Sequence, residues 1–80
     1  MDAYVLVEAG PRQGRELRDE FQALTIDGVQ LQSVEAVTGP YEFILRVRAD
    51  DLDALGTFVG EGLHSVRGVV KTTTCIVWRS

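Results

Sequence analysis

Hydrophobic residues recur along the chain at two different spacings, which together predict strands and helices in alternation. Residues 3–9 (AYVLVEA) are apolar at nearly every position, a pattern typical of a strand that is buried on both faces. Leu17, Phe21 and Leu24 then follow at spacings of four and three on an otherwise charged stretch. This spacing predicts an amphipathic helix, and the turn signal Asp27-Gly28 ends the connection that follows it.

The second predicted strand, residues 29–37, alternates irregularly. Val29 and Leu31 share one parity, whereas Val34 and Ala36 share the other. One extra residue in a strand turns every later side chain to the opposite face. We therefore predict a β-bulge near Ser33.

The third predicted strand, residues 41–48, alternates cleanly between two faces. One face carries Tyr41, Phe43, Leu45 and Val47, and the other carries Glu42, Ile44, Arg46 and Arg48. Between the second and third strands lies the stretch Val37-Thr38-Gly39-Pro40-Tyr41. Gly39-Pro40 is a turn signal, so these two strands are expected to be neighbours.

A second helix is predicted after residue 49. Asp50 is the expected N-cap, and Asp51 and Asp53 place negative charge in the first turn, where the helix dipole favours it. The helical spacing predicts a buried stripe of Leu52, Leu55, Val59, Leu63 and Val66. Residues 69–78 (VVKTTTCIVW) then predict a fourth strand.

The order of elements is β-α-β-β-α-β within a chain of 80 residues. This order predicts an α+β, ferredoxin-like fold: a four-stranded antiparallel sheet with both helices on one face. No linker or low-complexity segment divides the chain, so residues 1–80 are expected to form a single domain.

The predicted sheet has a second face that the two helices cannot cover. Its strands carry apolar residues on both parities, for example Tyr4 and Leu6 against Val5 and Val7. A face open to water normally alternates towards polar residues. We therefore expect a second copy of the chain to cover it, packed sheet to sheet or edge to edge.

Composition narrows the classes of function. Cys75 and His64 are the only cysteine and histidine, which argues against a disulfide, a structural zinc site or any other metal site. The net charge of −4 argues against direct binding of nucleic acid. No apolar run is long enough to span a membrane, and the first ten residues lack the pattern of a signal peptide. We expect a cytoplasmic protein with no cofactor.

The loop of Thr38, Gly39, Pro40, Tyr41 and Glu42 is the first candidate site. Gly39 permits close approach of a ligand to the backbone, Glu42 can balance an ammonium group, and Tyr41 can stack on or hydrogen-bond a small molecule. From the residues alone, however, an ordinary hairpin turn is the favoured interpretation.

Other polar residues have ordinary interpretations too. The hydroxyls of Thr72, Thr73 and Thr74 can bind a carboxylate, but threonine is also a good strand former. Arg46 and Arg48 can anchor a carboxylate or form interfacial ion pairs, although an ion-paired surface is the simpler interpretation. Cys75 is expected to be buried and inert. No catalytic set can be assembled around a single histidine, so no catalytic residue is predicted.

Several stretches in this order resemble the effector-binding domain of the Lrp/AsnC, or feast/famine, family of transcription regulators, also called the RAM domain. The resemblance covers residues 3–78 and rests on AYVLVEAGP, DGV, VTGPYEFILRVRADDLDALGTFV and VRGVVKTTTCIVW. Its most specific parts are T-G-P-Y followed by an acidic residue, the D-L-D-x-L helix start and G-V-x-x-T-x-T in the last strand.

The resemblance implies how such a domain assembles and what it binds. Family members dimerise through their sheets as dimeric α+β barrels, and the dimers form rings, commonly octamers. Small effectors, usually amino acids, bind between dimers near the loop that joins strands two and three. Transferred by match, the effector-binding residues are Thr38, Gly39, Pro40, Tyr41 and Glu42, with Thr72 and Thr74 on strand four.

The resemblance also implies a role without catalysis. The chain starts at Met1 directly before the first strand, so it resembles a stand-alone form that lacks the family's helix-turn-helix domain. Such a module senses effectors, assembles with itself and modulates full-length Lrp/AsnC regulators. One departure is Glu42, where the family usually has aspartate. The alternative function is a small dimeric α+β-barrel enzyme of the monooxygenase or isomerase type.

Overall fold

A computed structural model describes residues 1–11 and 14–78 of the chain. Its strands are β1 (Asp2–Ala9), β2 (Val29–Ala36), β3 (Phe43–Ala49) and β4 (Val69–Ile76). Helix α1 spans Gly14–Ala23 and helix α2 spans Leu52–Thr57. A π-helical turn, Phe58–Gly62, and a 3-10 turn, Leu63–Ser65, continue α2. The predicted β-α-β-β-α-β order and ferredoxin-like fold class are confirmed.

The four strands form one antiparallel sheet in the order β2-β3-β1-β4. Both helices pack on the same face, which we call the helix side, and we call the other face the open face. Val5 in β1 pairs with Leu45 in β3, and both are fully buried on the helix side. Their neighbours Tyr4 and Arg46, also paired, lie on the open face.

The hydrophobic core fills the space between the helices and the sheet. Phe21 of α1 packs edge-on against Phe43 of β3, with ring centroids 5.3 Å apart and an interplanar angle of 81°. This edge-to-face geometry is favourable for aromatic pairs. Strands β1 and β3 supply the centre of the core with Ala3, Val5, Val7, Leu45 and Val47.

The predicted β-bulge in β2 is confirmed. Leu31 pairs with Val47 and Ser33 pairs with Arg46, so Gln32 is the extra residue. Because of the bulge, residues of opposite parity in the sequence point to the same side: Val29, Leu31, Val34 and Ala36 all pair with helix-side residues of β3. The bulge therefore keeps the irregular strand in contact with the core.

Helix α2 departs from the sequence-based prediction in two respects. The N-cap is Asp51, not Asp50: the Asp51 Oδ1 atom accepts a 2.8 Å hydrogen bond from the backbone N–H of Ala54. The N–H of Asp50 donates instead to the carbonyl of Gly28. Leu52 was predicted to be buried but is 60% exposed, because the first residue of α2 lies beyond the core, beside an edge strand. Leu55, Leu63 and Val66 are buried as predicted, whereas Val59 is only partly buried.

Strand β4 is an edge strand, and this position overturns the prediction for Cys75. The thiol is free and exposed rather than buried. Cys75 pairs with Tyr4, so it lies on the open face.

In the part of the chain that the structure describes, no helix is long and apolar enough to cross a membrane.

Candidate functional site

The loop between β2 and β3 is held by two backbone hydrogen bonds at its base. The N–H of Glu42 donates to the carbonyl of Val7 (2.9 Å), and the N–H of Val37 donates to the carbonyl of Glu42 (3.0 Å). Thr38, Gly39 and Pro40 form the exposed tip, and Tyr41 is partly buried. The loop is therefore anchored at both ends and presents its tip to solvent.

Gly39 has a backbone conformation that other residues rarely adopt. Its φ of 125° lies in the region that favours glycine, and no atom other than those of Gly39 and its two chain neighbours lies within 4 Å of the position that a Cβ would occupy. The requirement for glycine is thus conformational rather than steric. The space above Gly39 leaves the peptide groups of the tip accessible to a partner molecule.

Glu42 fixes the loop to β1 through its side chain. Its Oε1 atom accepts a 2.6 Å hydrogen bond from the backbone N–H of Ala9, at the point where the pairing of β1 with β4 shifts between Glu8 and Ala9. Among residues 1–11 and 14–78, no hydrogen bond reaches the second oxygen, Oε2. Glu42 can therefore hold the loop and still accept one more donor.

Thr72 and Thr74 lie on the helix side of β4. Thr72 pairs with Val7 and Thr74 with Val5, both of which face the core. The Thr72 Oγ1 atom lies 3.0 Å from the Nε2 atom of His64, within hydrogen-bonding distance. Thr73, between them, lies on the open face beside Leu6.

Within one chain, the structure does not bring the two groups of predicted site residues together. Phe43, which follows the loop, pairs with Val7 on one edge of β1, and Thr72 pairs with Val7 on the other edge. Two inter-strand spacings, about 10 Å, therefore separate the loop from the threonines. A single ligand the size of an amino acid cannot use both groups on the same chain.

Thr74 instead lines a groove between α2 and β4, with a volume of about 420 Å³. Its apolar walls are Leu52, Leu55, Val59 and Ile76, and its polar groups are His64 and Thr74. Gly56 and Gly60 also line it, and apart from the neighbouring helix backbone no atom lies within 4 Å of a Cβ position at either residue. We call this feature the α2/β4 groove.

The α2/β4 groove was not predicted from the sequence. His64 and Ile76 line it, and neither was predicted to be a binding residue. The available signal was the spacing of Gly56 and Gly60: two glycines one helical turn apart leave a flat strip along a helix.

The open face carries a cluster of polar side chains around Arg46. The Arg46 guanidinium lies 5.2 Å from the centroid of the Tyr4 ring, and Nη1 donates a 2.5 Å hydrogen bond to the Tyr4 hydroxyl. Asp2 accepts a 3.0 Å hydrogen bond from Arg48 Nε and lies 3.6 Å from Arg46 Nη2. The interpretation of Arg46 and Arg48 as an ion-paired surface is confirmed.

The arginines change the acidity of Asp2. The hydrogen bond from Arg48 and the positive charges of Arg48 and Arg46 hold the pKa of Asp2 below its ordinary value of 3.8, although partial desolvation opposes them. The carboxylate is therefore ionised at neutral pH.

Potential metal ligands do not cluster in the described part of the chain. No group of three or more His, Cys, Asp or Glu side chains in residues 1–11 and 14–78 could hold a metal ion. His64, the single histidine, has a threonine hydroxyl as its hydrogen-bonding neighbour. The groove beside it offers apolar walls and two polar groups, which suit binding.

The fold is that of a small ferredoxin-like α+β domain with an apolar groove between α2 and β4. The chain belongs to the Lrp/AsnC ligand binding domain family, whose model matches residues 2–80. Membership of this family confirms the resemblance drawn from the sequence.

Two HTH-type transcriptional regulators are similar in sequence to this domain. The chain is 31% identical over 75 residues to the uncharacterized HTH-type transcriptional regulator PH1916 of Pyrococcus horikoshii, covering 92% of this chain and 49% of that protein. A regulator of Pyrococcus abyssi, PYRAB16920, is 29% identical over the same shares of the two chains. The chain thus spans about half the length of the curated relatives that it matches.

Solved structures share the fold. TTHA0845 from Thermus thermophilus superposes with a TM-score of 0.85 at 29% identity, covering 99% of this chain and 94% of that one. The transcriptional regulator NMB0573 from Neisseria meningitidis, solved as an L-Met complex, superposes with a TM-score of 0.79 at 21% identity, covering 98% of this chain and 49% of that one.

Proposed function

We propose that this domain binds an amino acid between copies of itself and thereby controls the assembly of Lrp/AsnC regulators. The observation that carries the proposal is the separation of the two candidate groups. The loop of Thr38–Glu42 and the α2/β4 groove lie on opposite edges of β1, and the groove is open on one side. A neighbouring copy that places its loop over the groove completes one site from two chains.

The chemistry of both groups suits an amino acid with an apolar side chain. The walls formed by Leu52, Leu55, Val59 and Ile76 bury such a side chain. His64 and Thr74 offer donors for the carboxylate, and the second oxygen of Glu42 accepts from the ammonium group. The Neisseria regulator with the same fold, solved with L-Met, is consistent with this ligand class.

An effector bound between subunits acts through linkage. It stabilises the assembly that forms the complete site relative to the assembly that does not. The size of this effect equals the difference in the binding free energy of the effector for the two assemblies. We propose dimers that associate into a ring, and co-assembly with full-length regulators of the family in the cytoplasm. The acidic net charge of −4 supports a domain that leaves DNA contacts to other domains.

Subunit mixing tests whether one site draws on two chains. Gly39→Trp blocks the loop, and Gly56→Leu fills the groove at a position where nothing lies within 4 Å of a Cβ. We expect each homogeneous variant to lose the rise in melting temperature that an amino acid gives to the wild type. Co-expressed, the two variants form some interfaces that pair an intact loop with an intact groove. Part of the response, and of the calorimetric binding, should then return.

Two results would count against the proposal. If the mixed sample responds no better than either variant alone while subunits exchange, the two groups do not share a site. If the wild type responds to none of the twenty amino acids in thermal shift and calorimetry, this domain has no amino-acid effector. Oligomer mass, read on the same samples by light scattering, shows whether assembly survives each substitution.

An enzyme is the second candidate, and His64 in the groove is the observation that favours it. The remaining surroundings do not support catalysis. Phe43, Leu45 and Val47 fill the space between helices and sheet with apolar side chains, and His64 has Thr72 rather than an acid as its neighbour. The HTH-type regulators among the relatives further favour the sensing function.

A further inference from the structure

A second cleft lies between the first half of α1 and the end of β2. Its volume is about 310 Å³, and its lining residues are Gly14, Arg15, Arg18 and Ala36. We call it the α1/β2 cleft. Strands β2 and β4 are the two edges of the sheet, so three inter-strand spacings, about 14 Å, separate this cleft from the α2/β4 groove. The two features are therefore distinct in space.

The sequence of α1 places opposite charges on opposite flanks of the helix. Successive residues are about 100° apart around a helix axis. Relative to the buried Leu17, Arg15 and Arg18 therefore fall on one flank, and Glu16 and Glu20 fall on the other. The arginine flank is the one that lines the cleft, and among the described residues that line it none is acidic.

Neither arginine of the cleft is neutralised within the part of the chain that the structure describes. Arg15 and Arg18 make no hydrogen bond or ion pair there. Asp19 follows Arg18 directly and is four residues from Arg15, yet it forms an ion pair with neither. The α1/β2 cleft thus holds two uncompensated positive charges in a chain whose net charge is −4.

The spacing of the two guanidinium groups favours one shared ligand. Residues three apart on a helix have Cβ atoms about 5–6 Å apart, and like charges at such spacings destabilise the helix. Each guanidinium presents N–H donors in a planar fork that matches a carboxylate or a phosphate. A ligand with two negative charges can bind both forks, and it removes their mutual repulsion. The small residues Gly14 and Ala36 leave room for it between helix and strand.

Volume and charge favour a small anion over a macromolecule. A cleft of about 310 Å³ lies at the lower end of the range for small-molecule sites. A long polyanion such as nucleic acid would also meet the acidic remainder of the chain, which repels it. A compact dianion meets mainly the charges around the cleft, because solvent screens the more distant ones.

We propose that the α1/β2 cleft binds a small organic dianion, a dicarboxylate or a phosphomonoester, through the guanidinium groups of Arg15 and Arg18. This site goes beyond the proposed function, since it uses neither the loop of Thr38–Glu42 nor the α2/β4 groove. Ala36 forms its strand-side wall, and the next residue is Val37, whose N–H holds the base of that loop. A bound dianion therefore lies beside the base of the loop.

Titration at constant ionic strength tests the proposal. The probes are succinate and inorganic phosphate as dianions, with acetate and chloride as monoanions, and the measurement is the backbone amide spectrum of the isotope-labelled chain. We expect saturable shifts at residues 14–18 and 36–37 with a dianion. The dissociation constant should be about tenfold higher for acetate, which engages one guanidinium only. The tighter of the two dianions shows whether the site prefers carboxylate or phosphate.

Variants separate a formed cleft from a general attraction to surface charge. Arg15→Gln combined with Arg18→Gln removes both cations, and Ala36→Leu fills the cleft while both charges remain. We expect each change to raise the dissociation constant of the dianion about tenfold. Lys71→Gln removes an exposed cation from β4, at the opposite edge of the sheet, and should leave the constant unchanged. Thermal melting verifies that each variant folds.

The outcomes decide the proposal in either direction. Saturable shifts confined to the cleft, and weakened in both the arginine and the Ala36→Leu variants, support it. Equal responses to dianions and monoanions, or tight binding by a folded Ala36→Leu variant, show general attraction to surface charge and overturn the site. The absence of saturable shifts with either dianion also overturns it, even if an acidic peptide shifts the same amides. None of these results changes the amino-acid response on which the proposed function depends.

Discussion

The carboxylate of Glu42 and the backbone N–H of Ala9 are joined by a 2.6 Å hydrogen bond that ties the loop before β3 to the end of β1. The two residues are 33 positions apart in the sequence. Glu42 at this position therefore stabilises the conformation of the loop, in addition to any contact with a ligand. Its longer side chain, compared with the aspartate usual in this family, is the one that makes this bond in the present chain.

Replacing Glu42 should lower stability. Glu42→Ala removes a charge-assisted hydrogen bond at a solvent-exposed position, and we expect a loss of about 1 kcal/mol in the free energy of unfolding. Glu42→Asp is shorter by one methylene and should recover only part of the loss. Urea denaturation monitored by circular dichroism measures both. Glu61→Gln, an exposed acid on the π-helical turn, is the matched control, and equal midpoints for Glu42→Ala and wild type would contradict the role of the bond.

Gly39 and Gly56 should respond in opposite directions to substitution by alanine. At a φ of 125°, alanine is strained, so Gly39→Ala should lose about 1 to 3 kcal/mol of unfolding free energy. Gly56 lies in α2 with ordinary helical geometry and open space, so Gly56→Ala should gain about 1 kcal/mol. Equilibrium denaturation of the two variants side by side checks the signs. A destabilised Gly56→Ala would mean that something packs against this position.

Asp2 should make stability depend on pH in the acidic range. Because the folded-state pKa is depressed, the stabilisation by Arg48 and Arg46 is complete well above 3.8 and is lost as the pH falls through the lowered pKa. Asp2→Asn should therefore be less stable than wild type at pH 6, and the difference should shrink towards pH 2. Urea midpoints across this range measure the effect, and a difference independent of pH would exclude the carboxylate as its source.

Cys75 offers a direct probe of the open face. Its exposed thiol should react with a small thiol reagent in the isolated chain at dilute concentration. If a second copy covers the open face, the reaction should slow as the protein concentration rises through association. The rate of absorbance change with an aromatic disulfide reagent reports this protection. A rate that stays constant while the mass doubles would place the interface elsewhere.

Features that depend on local alternation of side chains were predicted correctly from the sequence. Features that depend on the position of a residue in the sheet were not. The change of parity between Leu31 and Val34 was sufficient to predict the bulge, because only one extra residue keeps both on the core. The prediction for Cys75 was wrong because a β-rich run looks alike in an edge strand and a central one. The prediction for Leu52 was wrong because helical periodicity does not tell where a helix extends beyond the sheet.

The candidate sites were only partly predictable. The loop and the need for glycine at position 39 followed from the turn signal and the family resemblance. The α2/β4 groove requires His64, Thr74 and Ile76 to come together from separate elements, and Val59 and Gly60 of the π-helical turn also line it. The bond from Glu42 to Ala9 joins residues whose proximity arises only from the pairing of β1 with β3.

The bulge at Gln32 also bears on how the chain tolerates changes in length. Deleting one residue from a strand normally turns every later side chain of that strand to the opposite face of the sheet. Here, removal of Gln32 leaves Leu31, Ser33, Val34 and Glu35 in regular alternation, with the valine still inward and the glutamate outward. Strand β2 thus already contains, within its own sequence, both a longer and a shorter version of the same strand.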